Sequence, residues 1–209
     1  DLAFQILDLE EGDEVIIPSF TIISCLSAVI RSKGTPVFCD IDQDSWNMTL
    51  KNIKGKVTPK TKALLMVHLY GLAAEAEEIS KFCDENNITI IEDAAEAHGQ
   101  EVNGIKCGSF GLISTMSFYA NKHITTGEGG MLLTDSEEIY KKAKSMRNLG
   151  FNNKKRFQHE DLYWNYRLGG LQAALGISQL GQLKKTIDNK IHQGYLYNDL
   201  LVSIEDKVQ

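Results

Sequence analysis

The stretch NITIIEDAAEAHG, Asn87 to Gly99, decides the fold. Ile88, Thr89, Ile90 and Ile91 form a short apolar run without alternation, which predicts a strand buried on both faces. The run ends on Glu92 and Asp93, so the strand delivers two acids to its carboxyl edge. Ala94, Ala95 and Ala97 follow and are small enough for a flat molecule to approach closely. Taken alone, Asp93 reads equally as the cap of a short helix or as a site residue.

Outward from this stretch the same pattern repeats. Residues 14–17, 35–40, 62–69, 88–92, 113–119 and 130–134 are runs of strand length rich in Val, Ile and Leu. Helical spacing lies between most of them: Ser24, Leu26, Ala28, Val29 and Ile30, then Ala73 to Phe82, then Ile139 to Met146. Strand and helix in alternation predict an α/β fold, a mainly parallel sheet covered by helices on both faces, with its chemistry at the carboxyl ends of the strands. A helical stripe also opens the chain (Leu2, Ala3, Ile6, Leu7, Leu9), and Leu171 to Leu183 and Ile187 to Leu201 read as two further helices. We expect one large domain over 1–185 and, over 186–209, a helix leading toward a small domain beyond this chain, which reads as the large middle part of a longer protein.

The 209 residues, 43% hydrophobic and 24% charged, suffice for one sizeable core. A formal net charge of -6, with no basic run on a surface helix, disfavours a nucleic-acid partner. No apolar run approaches the roughly 20 residues that span a bilayer, and nothing reads as a signal peptide, so we expect no membrane partner and a cytoplasmic location. Cys25, Cys39, Cys83 and Cys107 are far apart and lack ligand-spaced histidines, so they read as reduced, buried small hydrophobes rather than as a metal site.

The segment SFYANKHITTGEGG, Ser117 to Gly130, holds one lysine among hydroxyls and glycines at the end of another buried strand. Lys122 therefore shares the sheet edge with Asp93. Ser117, Tyr119, Asn121, Thr125 and Thr126 surround it with polar groups, a collection that suits an anion plus a planar ring. Pyridoxal phosphate needs an amine to hold its aldehyde as a Schiff base, an acid to keep its ring nitrogen protonated, and donors for its phosphate. Lys122, Asp93 and Ser117 supply one of each. His98 reads first as a structural residue, His68 as the end of a buried run that can face the cleft, and His123 equally as a contact for phosphate or substrate or as a residue without a site role. The glycines at 127, 129 and 130 can simply turn the chain into its next strand. Trp46 and Trp164 read as packing residues, and no GxGxxG pattern marks a dinucleotide site.

The stretches GDEVIIPSFT (12–21), TPVFCDID (35–42), VHLYG (67–71), IEDAAEAHG (91–99), GSFG (108–111), SFYANKHITTGEGGMLLT (117–134), RNLGF (147–151) and NYRLGGLQAALGISQL (165–180) resemble, in order and spacing, the DegT/StrS family of nucleotide-sugar aminotransferases. The resemblance spans essentially the whole chain and implies the fold-type-I aminotransferase fold. The ITTGEGGM wording is most similar to perosamine-synthase-like members, which aminate a 4-keto-6-deoxy sugar.

By that resemblance Lys122 is the catalytic, Schiff-base lysine and Asp93 the partner of the pyridine nitrogen. Glu96 stands beside the ring hydroxyl, where the family usually has Gln or His and perosamine-synthase-like members also have Glu. Ser117 contacts the phosphate, and Ile22 covers the ring where an aromatic residue is common. Asn165 and Arg167 reach into the neighbouring subunit's site, which implies a homodimer. The implied reaction moves an amino group from glutamate to a nucleotide-linked keto-sugar, for amino-sugar biosynthesis such as that of lipopolysaccharide. The family's Gly-Thr phosphate-binding segment and its small C-terminal domain are absent from these residues. Two other readings stay open: a sugar 3-dehydratase, whose members have histidine in place of the lysine, and a catalytically silent module of the same fold.

Overall fold

The structure, a computed structural model, describes residues 1–151, 157–159 and 161–207, the last three by backbone alone. In chain order the elements are α1 (Leu2–Ile6), β1 (Glu14–Pro18), α2 (Ile23–Arg31), β2 (Thr35–Cys39), α3 (Leu50–Lys54), β3 (Thr61–Val67), α4 (Ala76–Glu85), β4 (Thr89–Asp93), β5 (Glu101–Val102), β6 (Ile105–Lys106), β7 (Ile113–Ser117), β8 (Gly130–Leu133), α5 (Glu137–Arg147), α6 (Gly170–Leu180) and α7 (Leu183–Leu201). All six expected strands are present. The short helix α3 and the β5–β6 hairpin were not foreseen: α3 has a single turn, capped by the Thr49 hydroxyl, and the hairpin is built on left-handed Asn103 and Gly104.

The main sheet runs β2-β1-β3-β4-β7-β8. All its pairs are parallel except β7–β8. The connection from β1 leads outward to β2 on one side, whereas the rest of the chain builds on the other. That reversal opens a crevice at the carboxyl edge beside β1, the place where such sheets bind ligands.

The strict alternation of strand side chains divides the core in two. Val15, Ile17, Leu65, Ile91 and Ile113 pack with α1, α2 and Met146 of α5 on one face. Ile16, Leu64, Met66 and Ile90 pack with Ile53 of α3 and with Ile79 and Cys83 of α4 on the other. Covering both faces is what permits unalternating apolar strands. The same parity sets the chemistry: Asp93 and Thr115 follow Ile91 and Ile113 toward the α2 face, while Glu92 and Ser114 turn the opposite way. A one-residue slip in β4 would exchange the two acids.

Candidate active site

The carboxyl ends of β1, β3, β4 and β7 converge on a cavity of about 850 Å³. Asp93, Glu96, Ser117, Lys122 and Ile22 all line it. Five of the seven residues singled out from the sequence are thus brought to one space.

Lys122 sits on the loop that reverses the chain from β7 into antiparallel β8. The loop is tied at its neck by Phe118 N–H to the Gly129 carbonyl (2.9 Å) and Thr126 N–H to the Phe118 carbonyl (2.9 Å). The Thr125 hydroxyl adds a bond to the same Phe118 carbonyl (3.1 Å) and accepts from Gly127 N–H (2.9 Å). The threonines therefore close the loop, and Gly129 supplies a left-handed φ of 148° where a side chain would be strained. Lys122 Nζ lies 2.8 Å from Glu96 Oε1, with 15% and 31% of the two side chains exposed. The other oxygen of Glu96 accepts Tyr70 N–H at 2.8 Å. Burial acts to raise the Glu96 carboxyl, but Lys122 and the Tyr70 amide outweigh it and hold the group below the usual carboxylate range.

Asp93 stands at the end of β4. Its Oδ1 accepts Ala95 N–H (3.1 Å) and the Thr115 hydroxyl (3.3 Å), and its Oδ2 accepts the Cys25 thiol at 3.6 Å. The Ala95 bond is the one that caps the turn, and it uses one oxygen only, while Asp93 also lines the cavity. Ser117 Oγ accepts Tyr119 N–H at 3.2 Å, so its own proton is available to a ligand. Ile22 precedes α2 and is 64% exposed on the cavity wall.

Asn165 and Arg167 stand apart from the cavity lining. Asn165 pairs with Asn148 in an isolated bridge, and Arg167 donates to Asn148 Oδ1 at 2.7 Å. They are not brought to the site of their own chain.

Glu92 has a different task. Its carboxylate is fully buried and accepts from Phe110 N–H (2.8 Å), Gly111 N–H (3.1 Å), the Ser114 hydroxyl (2.7 Å) and Gly108 N–H. His68 Nε2 meets the same carboxylate at 2.9 Å, while its Nδ1 accepts Ala74 N–H at 3.1 Å. A proton on Nε2 satisfies both contacts. His68 does border the cavity, yet both of its ring nitrogens serve the fold. His68, Glu92 and Cys107 bring ligand-type atoms within 4.8 Å of one another, but the first two are committed to these bonds and burial pushes the Cys107 thiol up to about 11. We read this cluster as structural.

His98 and His123 pack against one another with ring centroids 5.6 Å apart, beside Lys122. Among the described residues the buried ring nitrogens of His98 and Nδ1 of His123 meet no partner in good hydrogen-bond geometry, the Ser117 main chain being only near His98. Burial lowers both imidazoles; His123 and Lys122 add to the effect at His98, where the Ser117 main chain opposes it, and Lys190 and Lys122 add to it at His123. Trp46, read as a packing residue, is 42% exposed and packs edge-on against Phe20 and Tyr70, which line the cavity, with centroids 5.8 and 5.9 Å away.

The sequence reading passed over Thr115 and Cys25. Thr115 was within reach of the two-residue period of β7, which places it beside Ser117; nothing local marked Cys25.

A parallel sheet with a lysine loop and a strand-end acid facing one crevice defines the α/β fold of the fold-type-I aminotransferases. The DegT/DnrJ/EryC1/StrS aminotransferase family model matches residues 1–209. The chain belongs to that family. It is 39% identical over 207 residues to GDP-perosamine synthase of Vibrio cholerae, covering 99% of this chain and 56% of that protein. Helicobacter pylori PseC, an aminotransferase involved in pseudaminic acid biosynthesis, superposes with a TM-score of 0.91 at 27% identity, over 98% of this chain and 57% of that one. The E. coli GDP-4-keto-6-deoxy-D-mannose-3-dehydratase, solved with hydrated pyridoxal phosphate, gives 0.89 at 29% identity, over 96% and 57%. The chain spans about half the length of the curated relatives it matches.

Proposed function

We propose that the protein carrying this chain is a pyridoxal-phosphate-dependent aminotransferase that moves an amino group from glutamate to a nucleotide-linked keto-deoxy-sugar. The observation that carries the reading is that Lys122 and Asp93, from two separate strand ends, line one cavity of about 850 Å³. The likeness to GDP-perosamine synthase supports a nucleotide-linked sugar as acceptor. The making of amino sugars for lipopolysaccharide or another glycan is its setting, and a cytoplasmic location goes with such substrates.

The residues present fit the cofactor. The Asp93 carboxylate holds two neutral donors on one oxygen and only a thiol on the other among the described residues, which leaves a lone pair for a ring N–H. When bound, the cofactor supplies an electron sink and carries the amino group between the two substrates. Lys122 would hold it through Nζ and then move a proton at the reacting carbon. Asp93 would keep the ring-nitrogen proton in place, Ser117 would donate to the phosphate, and Ile22 would cover one ring face. Glu96 would stand beside the ring hydroxyl.

A homodimer belongs to the same proposal. Asn165 and Arg167 are exposed and lie outside the cavity lining of their own chain, as residues that complete a neighbour's site would be. The division into a large domain over 1–185 and a connecting helix over 186–209 is likewise retained as a proposal.

A second reading, a sugar 3-dehydratase, draws on the likeness to the E. coli enzyme. Lys122 weighs against it, since by resemblance those relatives have histidine there. The test is mass spectrometry of the product formed by the complete gene product from nucleotide-linked 3-keto and 4-keto sugars with glutamate. An amino sugar is expected; a deoxy sugar without added nitrogen would favour the second reading.

A further inference from the structure

Asp93 lines the cavity, and its Oδ2 has a single hydrogen-bond partner among the described residues: the thiol of Cys25 at 3.6 Å. Cys25 comes from the first turn of α2, far from Asp93 in sequence, and is 6% exposed. Thr21 Oγ1 lies 3.5 Å from the same sulfur. With the S–H committed to Asp93, the Thr21 hydroxyl is the donor in that contact, so Thr21, Cys25 and Asp93 form a directed chain from the cavity wall to the carboxylate.

We propose that Cys25 is a positioning residue: its S–H fixes the orientation of Asp93 Oδ2 and keeps that oxygen presented to a ring N–H. Three features make the thiol suited to this. It stays protonated, because burial and then Asp93 itself push it up to about 12, so it is always a donor. It is a weak donor, so it orients the carboxylate without drawing off the negative charge that a ring N–H would use. It also leaves the geometry complementary, since Ala95 and Thr115 bind Oδ1 and a third donor on Oδ2 sets the plane of the group. The inference rests on the cofactor reading above.

The test compares Cys25→Ser, which keeps a donor, with Cys25→Val, which keeps bulk without one, in the complete gene product. Pyridoxal phosphate affinity by equilibrium dialysis and the pH midpoint of the bound cofactor's visible band are measured. Cys25→Val is expected to weaken affinity by about 5- to 10-fold and to move the midpoint, as loss of one weak bond to a charged group implies, while Cys25→Ser stays within about 2-fold of the parent. Thr21→Val, which removes only the outer donor, is expected to shift the midpoint in the same direction by less, and stands in should Cys25→Val not fold. Equal behaviour of the parent and all variants, or rescue by Val and not by Ser, would overturn the inference while leaving the cofactor reading intact. A parent protein without a visible band would instead sink that reading.

Discussion

Lys122 Nζ meets Glu96 Oε1 at 2.8 Å, whereas Asp93 bonds Ala95, Thr115 and Cys25. Two acids that line the cavity, Asp93 at the end of β4 and Glu96 three residues on, thus divide the work: Glu96 holds the lysine, and Asp93 keeps a spare lone pair. The ion-pair partner of Lys122 is Glu96, not the strand-end acid Asp93.

Replacing Glu96 by Gln keeps one carbonyl acceptor, enough for the Tyr70 N–H or for the lysine but not for both, since Glu96 meets them through separate oxygens. The expected result is an unchanged fold, with a melting temperature within about 4 °C of the parent, roughly the effect of a 1 kcal/mol change in a domain of this size, and covalent labelling of Lys122 that persists. Calorimetry and borohydride trapping check both. Loss of labelling with the fold intact would show that the carboxylate charge itself is required.

Asp93→Asn removes the charge that would hold a ring-nitrogen proton but leaves an amide oxygen for the Ala95 N–H and Thr115 O–H. Pyridoxal phosphate affinity is expected to fall by about 10- to 100-fold, the range for one charge-assisted bond, while apo stability changes little. Equilibrium dialysis measures the first and denaturant unfolding the second. A variant that binds as the parent does would exclude Asp93 from the ring nitrogen.

Glu92→Ala strips the acceptor from the Phe110 and Gly111 amides, the Ser114 hydroxyl and His68. Removing one partner of a buried network costs about 3–5 kcal/mol, and denaturant unfolding should show a loss of that order. Gly111→Ala should weaken the same network, because a Cβ there would stand 2.9 Å from the Glu92 backbone nitrogen. Near-parental stability of both variants would contradict the structural role given to Glu92.

The pH dependence follows from His98 and His123, both lowered by burial in the folded chain. As pH falls below about 6.5, the unfolded chain takes up protons that the folded chain refuses, so stability present above that value is lost progressively on acidification. Glu92 and Glu96 act in a separate, lower window, since their carboxyls are lowered and their contribution is lost only in the carboxylate range. Melting temperature measured between about pH 7.5 and about pH 5.5 should fall, and His98→Phe, set against Phe118, should make the fall shallower. A profile that is flat in this interval, or equally steep in the variant, would contradict the assignment.

How much of this was legible beforehand follows from which signals are local. The six sheet strands were readable because burial on both faces leaves continuous apolar runs such as Ile88 to Ile91. That Asp93 and Lys122 share one cavity was readable because Asp93 ends such a run and Lys122 follows another by a few residues. The Cys25–Asp93 contact was not, since it joins residues 68 apart and a cysteine in an apolar helix carries no mark of its partner. The roles of Glu92 and Asp93, adjacent in sequence, separated only once strand parity was known. Trp46 was read as packing, and it does pack edge-on against Phe20 and Tyr70, partners that lie too far off in sequence to be named from the local pattern.

The central claim is tested most directly by incubating the complete gene product with pyridoxal phosphate, reducing with borohydride and mapping the labelled peptide by mass spectrometry. The account predicts a single reduced adduct on Lys122, abolished by Lys122→Ala. An adduct confined to other lysines, or none at all in folded protein, would contradict it.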